Sequence, residues 1–203
     1  IDESDKRKRK IGSTADISCF SLYPGKNLGA FGDAGIITTN NKNLYEIIRK
    51  LRNLGSKKKF IHEYVAYNSR LDTIQAAILN IKLKNLFKLN NKRKIIANKY
   101  DNKIKNKNIT KIFYTKNSVY HQYVILVKNR NKFIKFLDKN KIGYGFHYPF
   151  SINQLKVFKN KFDNNKFKNS DRLAKNGISL PIDPNLTNNQ VEFIIKKINS
   201  YNI

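Results

Sequence analysis

At 203 residues, 40% of them hydrophobic and 12% aromatic, the chain holds enough apolar material for one sizeable core or two small ones. Its 41 Lys and Arg against 14 Asp and Glu give a net charge of +27, yet Lys, Asn and Ile dominate even NKNLYEIIRKLRN and KIKNKNITKIF, where no shared face collects the charge. No apolar run approaches the roughly 20 residues that span a bilayer, and IDESDKRKRK lacks the apolar stretch of a secretory signal.

Lys is favoured over Arg throughout, whereas phosphate and base recognition favours the planar fork of Arg. The charge therefore reads as compositional drift that still attracts anionic substrates. A nucleic-acid module would interleave stacking aromatics with positive charge, and a membrane-surface protein would need a long helix basic on one face and apolar on the other. Here the aromatics fall in apolar strands and helices, so neither partner is expected. The single Cys19 excludes an internal disulfide and fits a reducing, cytoplasmic setting. With no Met anywhere, the sequence reads as part of a longer chain.

In chain order, residues 1–16 are polar and irregular, and ISCFSLY has the β-branched and aromatic character of a strand. The Gly-rich PGKNLGAFGDAG interrupts it, and GIITTN resumes as a strand. A helix follows with Leu44, Ile47, Ile48 and Leu51 on one face and Gly55 beyond its end. SKKKFIHEY reads as a basic loop. From Leu71, apolar residues at 74, 77, 78, 81, 83 and 86 predict one or two long helices, with Asp72 placed to cap the start. KNKNITKIF reads as a loop and interdomain hinge. YHQYVILVK and YGFHYPF are expected as strands, with NRNKFIKFLDKNKIG a helix between them. QLKVFKNKF and SDRLAKNG look helical, ISLPI extended, and TNNQVEFIIKKINSY a terminal helix. Alternating strands and helices predict an α/β fold.

Lys26 lies between two glycines directly after an apolar strand, where a side chain can enter a cavity. A lysine amine attacks a carbonyl only in its neutral form, which desolvation or nearby positive charge favours. By composition alone it is one surface lysine among many. His62 and His121 have no acidic or Cys partners at ligand spacing, so no metal site is expected.

The run CFSLYPGKNLGAFGDAGIITTN resembles the lysine segment of the DegT/DnrJ/EryC1/StrS family of pyridoxal-phosphate sugar aminotransferases. The resemblance continues in order through LRNLGS, YNSRLDTIQAAILNIKL, HYPF and SLPIDPNLTNNQVEFIIKKI, and so covers nearly the whole chain. It implies a fold-type I transferase: residues 1–105 would be the C-terminal part of the large cofactor domain, and 106–203 a small C-terminal α/β domain. Lys26 then joins the pyridoxal 5'-phosphate aldehyde and shuttles the proton. Ser21 matches the hydroxyl that bonds the cofactor phosphate. Asn68 matches the residue that reaches the neighbouring subunit's phosphate, which implies a homodimer, although an Asn before a helix also suits a cap. Arg70 matches a motif position with an interfacial, substrate or structural role. Tyr23, His147 and Tyr148 are placed near the sugar nucleotide.

The reaction implied moves an amino group from glutamate to a nucleotide-linked 3-keto-6-deoxyhexose, with position 4 the alternative, for cell-surface polysaccharide synthesis. The resemblance also calls for a ring-stacking aromatic and an acidic partner of the pyridine nitrogen upstream of Ile1, a role assigned to neither Asp2 nor Glu3. A parallel α/β domain without its first strands would expose apolar faces and strand edges. The 203 residues alone are thus not expected to make a stable, active enzyme, and an inactive remnant is the alternative reading.

Overall fold

The computed structural model describes residues 9–158, 161–162 and 164–202; Asp2 and Glu3 lie outside them. The chain groups into two compact units that divide between Phe87 and Lys88.

In the first unit, β1 (Ser18–Ser21) and β2 (Gly35–Thr38) pair antiparallel, with Ser18 opposite Thr38 and Ser21 opposite Gly35. The connection between them carries no crossover helix, which leaves antiparallel pairing as the available geometry. The helix α1 (Lys42–Leu51) starts at Asn41, whose side chain accepts from the N–H groups of Asn43 and Leu44. Arg49 and Lys50 occupy its last turn, where the helix dipole favours cations. The predicted face forms, but none of Leu44, Ile47, Ile48 and Leu51 is buried.

Where a basic loop is predicted, β3 (Ser56–Lys58) and β4 (Ile61–His62) make a small antiparallel hairpin. A strand of Ser and Lys has no hydrophobic alternation to announce it. Its geometry rests on left-handed backbone at Leu54 (φ 59°), Gly55 (φ 71°) and Phe60 (φ 68°). Gly55 admits no side chain, because a Cβ there would stand 1.9 Å from the Tyr64 carbonyl oxygen. The helix α2 (Thr73–Lys103) is one continuous span of 31 residues. Leu79 is its buried position in the first unit, whereas Ile74, Ile81 and Leu83 of the predicted apolar set are exposed.

The second unit takes the rest of α2 and an antiparallel sheet of β5 (Ile109–Lys111), β6 (Tyr123–Val127) and β7 (Gly177–Leu180), with β6 in the centre. Strand β5 falls inside the stretch that reads as a loop, because its pairing with β6 is non-local: Ile109 faces Val127 and Lys111 faces Ile125. Three helices complete the unit: α3 (Arg130–Lys139), α4 (Lys168–Asn176) and α5 (Asn188–Ser200). Thr187 and Gln190 form a reciprocal capping box at the start of α5. Alternate residues Tyr123, Ile125 and Val127 are buried, as a strand with one core face requires. Phe133, Leu137, Ile178, Val191 and Ile198 pack into the same core. Ile96, Ala97 and Tyr100 of α2 join them, so the C-terminal part of the helix belongs to the second unit.

Two more local expectations differ from the structure. Residues 144–150 form no strand; only Gly145 exchanges backbone hydrogen bonds with Ser179, at 3.1 and 2.8 Å. QLKVFKNKF is not an α-helix: its described part is 3-10 turns at Ile152–Gln154 and Lys156–Phe158. Every strand pair among the described residues is antiparallel, in a mixed α/β fold.

Burial raises the pKa of Tyr100 and Tyr123 well above the ordinary tyrosine range, and Tyr123 also donates to Asp101 Oδ1 at 2.6 Å. A phenol whose folded pKa is raised stabilises the fold fully below its unfolded value near ~10, and progressively less as pH climbs toward the folded value. Stability is therefore expected to drop above about pH 10 on this account. Tyr123→Phe should cost about 1–2 kcal/mol at neutral pH and flatten the alkaline drop, as read by urea denaturation at both pH values.

Candidate active site

Strand β1 ends at Ser21, and the next residue closes a loop on itself. The Leu22 N–H donates to the Ala34 carbonyl and the Leu22 carbonyl accepts from Ala30 N–H, both at 2.8 Å. Inside this closure the Lys26 N–H donates to the Tyr23 carbonyl at 2.8 Å, making a tight turn at Pro24–Gly25. Gly29 packs against the returning chain so closely that a Cβ would lie 2.3 Å from the Pro24 carbonyl oxygen. Beneath the loop Leu22, Ala30 and Leu79 form a small buried cluster, with Leu28 and Ala34 against it.

Lys26 is half-buried on this loop, and among the described residues its amine has no hydrogen-bond or ion-pair partner. Ser21 is exposed at the strand end, and its Oγ accepts from the Tyr23 N–H at 3.3 Å. That bond uses an oxygen lone pair and leaves the hydroxyl proton to donate elsewhere. The Tyr23 side chain is exposed beside them.

Asn68 and Arg70 lie on a second segment of the same unit, tied to the C-terminal end of α1. Asn68 bridges to Asn53, Leu54 N–H donates to the Tyr67 carbonyl, and Ser69 N–H donates to the Arg52 carbonyl. Arg70 donates through Nη1 to Asn53 Oδ1 at 2.9 Å, so part of its guanidinium is held structurally. The Asn68 side chain is exposed. The adjoining cavity of about 490 Å³, lined by Phe20, Ile36, Tyr45, Ile48 and Leu71 among others, includes none of the predicted site residues.

His147 and Tyr148 belong to the second unit. The imidazole lies over Gly145, and its Nδ1 is 2.8 Å from the Oγ of buried Ser179. That hydrogen bond orients the ring. Tyr148 meets it edge-on at 5.7 Å between ring centroids and is otherwise exposed. His147 borders a cleft of about 290 Å³ that reaches Ser179 and Pro181, whereas Tyr148 lines a separate cavity of about 400 Å³ with Phe150, Phe162 and Phe167.

The structure thus groups Ser21, Tyr23 and Lys26 on one loop, and Asn68 and Arg70 on another. Sequence patterns do not single out the side chains that hold these segments: Gln75 and Lys82 on α2, Asn53 after α1, and Ser179 on β7. Of these, Gln75 and Lys82 carry a signal, since residues 75, 79 and 82 share one helical face. The donor set suits pyridoxal phosphate: an unengaged primary amine for an aldehyde, and a hydroxyl with its proton available for a phosphate oxygen.

The sequence pattern of the DegT/DnrJ/EryC1/StrS aminotransferase family matches residues 3–199. The chain is 39% identical over 195 residues to the dTDP-3-amino-3,6-dideoxy-alpha-D-galactopyranose transaminase of Aneurinibacillus thermoaerophilus, covering 95% of this chain and 53% of that protein. It is 48% identical over 94 residues to the dTDP-3-amino-3,4,6-trideoxy-alpha-D-glucose transaminase of Streptomyces venezuelae, covering 46% of this chain and 25% of the other. The solved structure of S. venezuelae DesV in complex with a ketimine intermediate superposes with a TM-score of 0.90 at 32% identity, over 95% of this chain and 53% of that one. This chain therefore spans at most about half the length of these relatives.

Gly29→Ala is expected to push the loop away from Pro24, costing about 1–3 kcal/mol in the first unit. At Gly25 an added Cβ meets nothing nearer than the Tyr23 ring at 3.8 Å, so Gly25→Ala should be close to neutral. Amide exchange at residues 23–30 compares the two, and equal protection in both variants would contradict the close-approach argument.

Proposed function

The chain belongs to the DegT/DnrJ/EryC1/StrS aminotransferase family, and from that premise we propose that it serves in a pyridoxal-phosphate-dependent transaminase acting on a nucleotide-linked keto-6-deoxyhexose. Glutamate is the amino donor in this reading, and a 3-keto sugar the acceptor. The observation that carries it is the half-buried Lys26 amine, unengaged among the described residues, on a loop closed at Leu22 beside the Ser21 hydroxyl. The names of the two transaminases described above, both of dTDP-3-amino sugars, support the 3-position.

When bound, the cofactor supplies an aldehyde to receive an amine and a ring that takes up the electron pair of a broken C–H bond. Lys26 Nζ would hold that aldehyde and, once displaced by the donor's amine, would move the proton from the donor carbon to the carbon that bore the aldehyde, and in the second half-reaction from there to the acceptor carbon. Ser21 would donate its hydroxyl proton to a phosphate oxygen. Asn68 would donate its side-chain amide to the phosphate of a second copy of the chain. Tyr23 and Arg70 would serve the sugar nucleotide; His147, its ring held by Ser179, and Tyr148 are assigned to the same ligand by the family resemblance alone. Residues 1–105 would complete a large cofactor domain and 106–203 form the small one.

A homodimer is supported by the exposed apolar positions Ile74 (71%) and Ile81 (66%), which stand seven apart on one face of α2. The described chain has no helix long and apolar enough to cross a membrane. The proposed setting is the cytoplasm, where the enzyme would make amino sugars for cell-surface polysaccharide.

The test is turnover of glutamate to 2-oxoglutarate by the full-length enzyme, given cofactor and a dTDP-linked 3-keto-6-deoxyhexose or its 4-keto isomer. Lys26→Ala is expected to reduce turnover to background and to remove the borohydride-trapped cofactor adduct from the Lys26 peptide. Trapping unchanged in Lys26→Ala would refute the assignment, and turnover of the 4-keto isomer alone would move the amination site. Light scattering should give twice the chain mass, with Ile81→Asp lowering the dimer fraction.

A further inference from the structure

The bonds that shape the Lys26 loop, Ala30 N–H to Leu22 and Lys26 N–H to Tyr23, run within the loop itself. They set its curvature but do not seat it on the first unit. Two side chains of α2 reach it from outside. Lys82 Nζ donates to the Gly29 carbonyl at 2.6 Å and lies 4.8 Å from the centroid of the Phe31 ring. Gln75 Oε1 accepts from the Phe31 N–H at 2.8 Å. Between them on the same helical face, Leu79 packs into the cluster with Leu22 and Ala30.

The grip has three parts with different physics. Leu79 holds the loop by burial, which is non-directional and tolerates sliding. The two hydrogen bonds are directional, and they fall on a carbonyl and an amide two residues apart, which fixes both height and rotation of the chain. Holding a half-buried ammonium beside a carbonyl and an aromatic face costs desolvation that a simple apolar contact would avoid. Gly29 is also the residue that packs on Pro24, so the carbonyl held by Lys82 belongs to the tightest point of the turn bearing Lys26.

We propose that Gln75 and Lys82 are positioning residues for Lys26: by clamping Gly29 and Phe31 they set where the Lys26 amine stands relative to the Ser21 hydroxyl. The significance of that position rests on the cofactor role proposed for Lys26. Neither residue touches the cofactor in this scheme; each acts through the loop backbone.

The experiment uses the full-length protein with Lys82→Met, Lys82→Arg, Gln75→Leu and Gln75→Glu. Amide exchange is read in the cofactor-free protein at residues 23–31, with β6 as the internal reference. Pyridoxal phosphate is then titrated, trapped with borohydride, and the adduct on the Lys26 peptide quantified by mass spectrometry. Lys82→Met and Gln75→Leu are expected to speed exchange in the loop and to weaken trapping at Lys26 on the order of tenfold, with β6 protection unchanged. Lys82→Arg, which still donates, and Gln75→Glu, which still accepts, should keep most of both. Wild-type exchange and trapping in the Met and Leu variants would overturn the proposal. So would exchange rising equally in β6, which would make the residues general supports. Should the wild type itself trap no cofactor at Lys26, the cofactor reading fails, and the exchange comparison still decides whether the two side chains hold the loop.

Discussion

The backbone of Leu22 is bonded on both sides, donating to Ala34 and accepting from Ala30, and the first unit is organised around that residue. One bond continues the β1–β2 ladder beyond Ser21 and Gly35. The other stops the loop from opening, so the chain leaves the sheet, turns at Pro24–Gly25 and returns within hydrogen-bond range of its own start. The Leu22 side chain is buried against Leu79, which ties the closure to α2. An amine carried on such a loop is presented at the end of a strand by a closed backbone, the kind of placement that pre-organised chemistry uses.

The two units stand on different energetic footings. The second has a continuous core in which α2, the β5–β6–β7 sheet and the helices all bury side chains, with Tyr100 and Tyr123 sealed inside and their hydroxyls spent on Pro181 and Asp101. The first holds its shape with a three-residue cluster, a two-stranded ribbon and directional bonds at the loops, while Ile36, Ile37, Ile47 and Leu51 face outward. A two-stranded ribbon by itself is marginal in water. The part that carries the candidate chemistry is thus the part with the least burial of its own, which is why single polar contacts such as Lys82 to Gly29 weigh heavily there.

Several elements are legible in the amino-acid sequence alone. The strands around Lys26, the helix after Asn41, the span from Thr73, the strand YVILV and the capped terminal helix all follow from periodicity and end signals carried within ten or so residues. The hairpin at 56–62 and strand β5 read as loops because their pairing comes from partners and left-handed backbone positions, not from their own polar residues. The stretch 144–150 has strand-like residues but finds a partner only at Gly145, so local propensity has nothing to pair with.

The sequence by itself determined the family, through the ordered motifs from CFSLYPGKNLG to SLPIDP, and through that same resemblance it named Lys26, Ser21 and Asn68 as candidates. Those are local or order-preserving signals, and a linear chain carries them intact. Only the tertiary structure decided what holds each of them: that Ser21 accepts from Tyr23, that Arg70 is held by Asn53, that His147 is oriented by Ser179, and that α2 grips the lysine loop through Gln75 and Lys82. All but the first of these pairs join residues too far apart in the chain for any window of periodicity to see, and their bonds exist only once burial and backbone closure have brought the segments together.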